Sequence, residues 1–324
     1  MNSSTQHIYL EKYLAPLATF LARSDVTDIY INQPGEVWLE AYKCKPERHN
    51  APDLTRDALH WLVRQIAAYN AQGINRAHPL LAASLPSGER IQVVMPPATR
   101  GEIAIAIRKH VVSDLTLEDF MPATEYPEVA EMDSAAAKRI SREPGIDTEL
   151  FRFFRQSVLD RRNILVSGST SSGKTTFLNT LIGEIPQDER LIFIEDTPEL
   201  NLVHDNAIGL VAARGALRET EIDAGDLLIA ALRMRPDRII LGEIRGREAV
   251  TFLRAINTGH PGSMTTIHAD SPQGAIEQLA FLALQAGMNL SWDDMMKYIQ
   301  SSIDISIHMR RSNGNIVVSS VLFT

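Results

Sequence analysis

Apolar and polar positions along the chain fall into two regimes. Up to about residue 109, helical and strand periods alternate. Ile8, Tyr13, Leu14, Leu17, Phe20 and Leu21 recur at helical spacing and predict an amphipathic helix. Thr27 to Asn32 reads as a strand, Pro34-Gly35 as a turn, and Glu36 to Glu40 as the returning strand. Over Arg56 to Tyr69, Leu59, Leu62, Val63 and Ile66 line one helical face. Arg90 to Met95 and Ile103 to Arg108 predict two more strands, with Pro96-Pro97 forcing a break between them. Residues 1–110 therefore read as a small α+β N-terminal domain.

Residues 111–147 carry weaker periodicity. Pro122, Pro127, Pro144 and the acidic stretch from Glu125 to Asp133 suggest a linker with two short helices, one of them over Ala135 to Ile140. From Phe151 onward short apolar runs alternate with helical stretches: Ile164–Val166, Leu191–Ile194, Ile239–Leu241 and Met264–Ile267. Strands of that kind imply a mostly parallel sheet covered on both faces, so residues 148–324 read as an α/β domain. Near the end Ile303, Ile305 and Ile307 alternate with Asp304, Ser306 and His308. Asn313-Gly314 offers a tight turn and Ile316 to Phe323 returns, a hairpin pattern.

Composition narrows the function classes. The 324 residues are 44% hydrophobic and 22% charged, an ordinary globular balance with room for two domains. A net charge of −8 disfavours the whole surface as a nucleic-acid platform. Cys44 is the only cysteine, which excludes an internal disulfide and a cysteine-based zinc cluster and fits a reducing compartment. No basic region followed by an apolar core marks a secretory signal, and no run approaches the roughly 20 apolar residues of a membrane span. The longest uncharged run, Gln278 to Trp292, contains Gln285, Gly287 and Asn289 and reads as helix plus loop.

The most specific chemistry lies at Gly168-Ser169-Thr170-Ser171-Ser172-Gly173-Lys174-Thr175, which fits the phosphate-binding loop G-x-x-x-x-G-K-[ST]. Its setting is the required one. Asn163 to Ser167 reads as a buried strand, and Thr175 to Ile185 as a helix stopped by Pro186. Gly168 and Gly173 let the backbone bend so that successive N–H groups face one anion, and the helix N-terminus adds partial positive charge. Lys174 can reach the β- and γ-phosphates, the Thr175 hydroxyl can ligate Mg²⁺, and Thr176 follows within reach of the same phosphates.

A phosphate loop alone defines no reaction; it needs acids for metal and water. Leu191–Ile194 runs into Glu195-Asp196, and Ile239–Gly242 runs into Glu243, so both glutamates are expected at the carboxyl edge of the sheet beside the phosphates. His268 closes another apolar strand and shares that rim, placed to hydrogen-bond a phosphate or sense its loss. His260 is the weaker of the two histidines, and no set of three or four ligands supports zinc around them. Arg90, Arg108, Arg214, Arg218, Arg233 and Arg235 are candidate stabilisers of γ-phosphoryl charge, although a surface arginine in a weak ion pair is the ordinary role for any one of them.

Taken together these segments resemble the traffic (secretion) ATPases, most closely the VirB11-type ATPases of type IV secretion systems. Four ordered boxes carry the resemblance: Gly168–Thr175; Ile194-Glu195-Asp196-Thr197-Pro198-Glu199-Leu200; Leu232 through Arg245; and Thr258-Gly259-His260 through Thr266-Ile267-His268. Asn32 to Val37, Leu85 to Val94 and Ile107-Arg108-Lys109 look like the N-terminal domain of that family. The resemblance implies a RecA-like C-terminal domain and a homo-hexameric ring that hydrolyses ATP with Mg²⁺. It implies work with other secretion-system ATPases and inner-membrane channel components, moving protein or DNA–protein substrates or assembling a pilus. Location would be cytoplasmic, peripheral at the inner membrane of a bacterium, with no direct nucleic-acid contact. Lys174, Glu195, Glu243 and His268 match catalytic positions, and Arg90 and Arg108 match arginines that approach the nucleotide and draw the N-terminal domain onto it. Which of Glu195 and Glu243 is the base stays open. Gly242-Glu243 stands where many nucleoside triphosphatases have Asp, which favours an outer-shell role for Glu243 at Mg²⁺. The alternatives are a type IV pilus retraction or type II secretion ATPase and a RecA-like nucleic-acid motor; the single cysteine argues against the larger assembly ATPases that carry a four-cysteine element.

Overall fold

In a computed structural model the chain is described over residues 3–41, 44–109, 115–120, 128–131, 146–212, 221–312 and 315–324. It divides into two compact units, one built on Met1–Val112 and the other on Ser113–Ala212 with Asp223–Thr324.

The first unit is a six-stranded antiparallel sheet in the order β3-β2-β1-β6-β5-β4. The strands are β1 (Val26–Ile31), β2 (Glu36–Ala41), β3 (Glu47–Asn50), β4 (Leu80–Ser84), β5 (Arg90–Val94) and β6 (Ala104–Arg108). The helices are α1 (Ser3–Leu14), α2 (Ala18–Leu21) and α3 (Arg56–Tyr69). The single helix expected through Leu21 is interrupted: a 3₁₀ turn over Ala15–Leu17 separates α1 from α2, because Pro16 cannot continue the α-helical ladder. Thr55 caps α3, accepting the Ala58 N–H at 3.2 Å, and its Leu59, Leu62, Val63 and Ile66 are buried. They share one core with Ile29, Ile31, Val37, Leu39, Ile91, Val93, Ile105 and Ile107, the inward residues of alternating strands.

The second unit is an eight-stranded sheet in the order β10-β9-β11-β12-β8-β13-β14-β7. Its strands are β7 (Glu128–Glu131), β8 (Ile164–Gly168), β9 (Leu191–Glu195), β10 (Ala207–Val211), β11 (Arg238–Ile244), β12 (Met264–Ile267), β13 (Ile305–Ser312) and β14 (Asn315–Phe323). Only the β13–β14 pair is antiparallel. Its helices are α4 (Ile146–Leu159), α5 (Lys174–Gly183), α6 (Ala224–Ala231), α7 (Glu248–Asn257), α8 (Pro272–Gln285) and α9 (Trp292–Gln300). The continuous apolar runs have a direct cause. Ile164, Val166, Leu191, Phe193 and Ile240 pack on one face with α4 and α5, while Leu165, Ile192, Ile194, Ile239 and Leu241 pack on the other with α6, α7, α8 and α9. This is the α/β class with a mostly parallel sheet.

The stretch read as a linker contains described secondary structure. A 3₁₀ turn at Leu117–Phe120 and strand β7 lie inside the stretch expected to be a linker; Leu117 and Phe120 are buried in the second unit's core, and β7 pairs with β14. The helix expected over Ala135 to Ile140 and the Asn313-Gly314 turn lie outside the described residues, as do Arg214 and Arg218.

Candidate functional site

Parallel strands bring their carboxyl ends to one edge, and four neighbours, β9, β11, β12 and β8, deliver side chains there. The loop after β8 is bent by its glycines. Gly168 has φ +153°, and a Cβ on it would stand 2.5 Å from the Met309 carbonyl oxygen. Gly173 has φ +90°, and a Cβ there would run into the Ile316 side chain. Ser171 also adopts a positive φ, +60°. Left-handed residues so close together turn successive N–H groups inward, a concavity suited to an anion at the α5 N-terminus. Ser169, Thr170 and Ser171 are exposed along the loop, and Thr175 and Thr176 occupy the first turn of α5. The buried Ser172 Oγ has no hydrogen-bond partner among the described residues.

Lys174 is buried beneath this concavity. Its ammonium donates to the Gly168 and Ser169 carbonyls at 2.9 and 3.0 Å and lies 3.3 Å from His268 Nδ1. Desolvation lowers its pKa, opposed by the charges of Glu243 and Glu199 and reinforced by Arg245.

Glu243 is aimed by an irregularity in β11. The β11–β12 register shifts between Leu241 and Ile244, so the strand carries one extra residue there, and Thr266 Oγ1 donates to the Gly242 carbonyl at 2.8 Å. One Glu243 oxygen is gripped by Arg245; the other lies 2.8 Å from His268 Nε2, near enough for an ion pair but poorly aligned for a hydrogen bond. His268, half-exposed, thus stands between the lysine and the carboxylate. With Lys174 at Nδ1, Nε2 is the ring nitrogen turned toward Glu243.

Glu195 has a different task. It is buried, and its Oε1 accepts the backbone N–H groups of Glu199 and Leu200 at 2.7 and 2.8 Å. It also packs on Gly242, where a Cβ would come 3.3 Å from Glu195 Cγ. Through that oxygen Glu195 fixes the turn after β9, and Gly242 leaves it room. Glu199, carried on that turn, is the second acid, after Glu243, whose charge acts on Lys174.

The remaining candidates separate. Arg233 and Arg235 precede β11 and so lie at the opposite edge of the sheet from the phosphate loop. His260 precedes β12, with Nδ1 3.3 Å from the Ala255 carbonyl oxygen, far from His268 in the fold. In the first unit Arg90 and Arg108 are cross-strand partners on β5 and β6, and Arg108 pairs with Asp28 of β1 at 3.0 Å. Arg245 is the arginine that sequence reasoning passed over. Its signal was present: it follows Glu243 by two residues at a strand end, the spacing that returns a side chain to the same side.

The chain matches the type II/IV secretion system protein family over residues 11–312. It is 35% identical to the type IV secretion system protein VirB11 of Bartonella henselae, covering 100% of this chain and 95% of that one. Among solved structures it is similar to the VirB11 ATPase of the Brucella suis type IV secretion system in complex with sulphate, at 32% identity and TM-score 0.50, with 99% and 96% of the two chains covered. It shares its fold with the pilus retraction motor PilT with bound ADP, at 21% identity and TM-score 0.59 over 95% and 82%.

Proposed function

The chain belongs to the type II/IV secretion system protein family, and we propose that its second unit hydrolyses ATP at the loop Gly168–Thr175 to drive a type IV secretion system. It is an ATPase with a secretion role, as its VirB11 relatives are. The observation that carries the site is the chain Lys174–His268–Glu243–Arg245 at the mouth of a left-handed, glycine-bent loop.

In turnover the loop amides and the α5 N-terminus hold the β- and γ-phosphates, and Lys174 leaves its two carbonyls for the phosphate oxygens. Glu243 orients the attacking water and takes its proton. The water oxygen bonds to the γ-phosphorus as the bond to the β–γ bridging oxygen breaks, leaving ADP and phosphate. His268 and Arg245 hold the Glu243 carboxylate, and His268 reports the γ-phosphate to it. Glu195 acts through the turn bearing Glu199. Arg90 and Arg108 are assigned to the same nucleotide on the family pattern alone.

Mg²⁺ suits the donors present. Thr175 offers a hydroxyl in the first turn of α5 and Glu243 a carboxylate, both hard oxygen ligands. Arg245 and His268 already engage the carboxylate, so it fits the ion through water. Mg²⁺ held by these residues would supply charge neutralisation for the phosphates.

By the family pattern the working form is a homo-hexameric ring on the cytoplasmic side of a bacterial inner membrane, beside other secretion ATPases and channel components. No helix among the described residues is long and apolar enough to cross a membrane. Lys174→Ala tests the site: nucleotide binding and steady-state hydrolysis should both collapse, and an unmodified rate would overturn the assignment. Solution mass with and without a non-hydrolysable ATP analogue tests the ring; a monomer in both at high concentration would sink it.

A further inference from the structure

His308 is a titratable group that the hydrolysis scheme leaves unused, yet it sits where the phosphate loop begins. On β13 it lies in register with Ser167, the residue before Gly168, and Met309 is in register with Gly168 itself. Its Nδ1 is 3.0 Å from the Ser167 hydroxyl. That hydroxyl is fully buried and also lies 3.1 Å from the Ile307 carbonyl oxygen and 3.5 Å from that of Ser271. Carbonyls only accept, and the hydroxyl has one proton. Both the carbonyl and the hydroxyl are satisfied when Ser167 donates to Ile307 and His308 donates its Nδ1–H to Ser167.

The backbone is arranged around the same point. The β13–β14 register shifts between His308 and Met309, placing an extra residue on β14, and Ser319 Oγ donates to the His308 carbonyl at 3.1 Å. Bulges of this kind re-aim side chains beside functional sites. The charges facing the ring are Asp270 on the loop after β12, Lys174 on α5 and Arg310 on β13. Burial first, then the two cations, depress the imidazole pKa against the opposing pull of Asp270. The ring is therefore held neutral beside Lys174, in the tautomer that donates to Ser167.

We infer that His308 is a positioning residue for ATP: through its bond to Ser167 it sets the end of β8, and with it the place from which Gly168 launches the phosphate loop. The inference rests on the nucleotide-site reading above. It assigns the ring no contact with substrate; its effect passes through Ser167 and the loop amides.

The test is ATP KM and kcat of the full chain, with thermal unfolding recorded beside them. His308→Ala should raise KM about tenfold, the worth of roughly one hydrogen bond, with kcat within about threefold. His308→Asn, which puts an N–H donor where Nδ1 stands, should restore KM to within about twofold. His308→Gln, whose amide matches Nε2 instead, should not. Ser167→Ala should raise KM as His308→Ala does, and the double variant should be no worse than either single one, because both remove the same bond. Lys174→Ala separates the two claims. If it abolishes nucleotide binding while His308→Ala keeps the parent KM, the His308 inference falls alone. If Lys174→Ala binds and turns over ATP normally, the site reading falls and takes the inference with it. An Asn variant as impaired as Ala also overturns it. Should His308→Ala not fold, Ser167→Ala decides: a raised KM supports the inference and a parental KM ends it.

Discussion

Strand β11 starts at one charged cluster and ends at another, and they are built on opposite terms. At its start Arg238 is fully buried and donates to both Glu189 oxygens at 2.7 Å and to the Val158 carbonyl at 2.7 Å. Arg161 adds a contact to Glu189 at 3.2 Å. At its end Glu243 meets Arg245 and His268, Lys174 is desolvated on borrowed carbonyls, and Ser172 Oγ has no partner among the described residues. A buried pair with each charge matched holds elements together. A cluster that leaves a hydroxyl orphaned and a cation poorly solvated is organised for something else to complete it. On one strand, then, some charges are matched to hold the fold and others are left for the proposed nucleotide site to use.

Substitutions separate the two ends of β11, and the largest effect belongs to the structural one. Arg238→Ala strands Glu189 in the interior and should cost about 3–5 kcal/mol in urea unfolding. Replacing the pair together, Arg238→Met with Glu189→Leu, should recover much of that loss. At the other end, Glu243→Gln should lower kcat about 10²- to 10³-fold while the urea midpoint barely moves. A midpoint shift as large as that of Arg238→Ala would erase the distinction between the two ends. His268→Ala should cost less, about 10- to 100-fold in kcat/KM, since Arg245 still grips Glu243.

Two smaller effects lie in stability. Burial depresses the Lys174 pKa below the ordinary lysine value, so wherever the ammonium is charged the folded state carries a desolvation cost, and that cost is gone once pH rises past the ordinary lysine value. Lys174→Met should therefore leave the ligand-free protein no less stable at pH 7, while abolishing turnover; a marked drop in the unfolding midpoint would show that the ammonium holds the loop together. For His308 the folded-state pKa lies below the ordinary imidazole value of about 6.5. As pH falls below that value the unfolded chain takes up the proton first, so stability is present above it and is lost on acidification down through the folded pKa. His308→Gln should shallow that acid slope slightly in urea titrations between pH 7 and 5.

The strands that escaped sequence reading share one position. β3 and β4 are the two edges of the first sheet, and β10 and β7 are the two edges of the second. An edge strand has one neighbour and a thinner cover, so its sequence is under less pressure to be apolar or to alternate. Glu47-Arg48-His49-Asn50 has no apolar residue at all, and Glu128-Val129-Ala130-Glu131 sits in an acidic, proline-flanked stretch that reads as a linker. Central strands are bounded on both faces, and their runs announce them. The site divides in the same way. Gly168, Gly173, Lys174 and Thr175 are recognisable because one short loop must bend, bind anions and start a helix within eight residues. Glu195 and Glu243 are indistinguishable as strand-end acids until packing shows one tied to the Glu199 and Leu200 amides and the other to Arg245.

By itself the sequence determined the α/β class of the second unit, its central strands and the phosphate loop, because each follows from local periodicity or from a backbone that few residues can adopt. Tertiary structure alone decided which charges meet. The contact of Lys174 with His268 spans 94 residues and that of His308 with Ser167 spans 141. Such pairs exist only because parallel strands distant along the chain lie side by side and release their side chains at a common edge, and no local pattern encodes that adjacency.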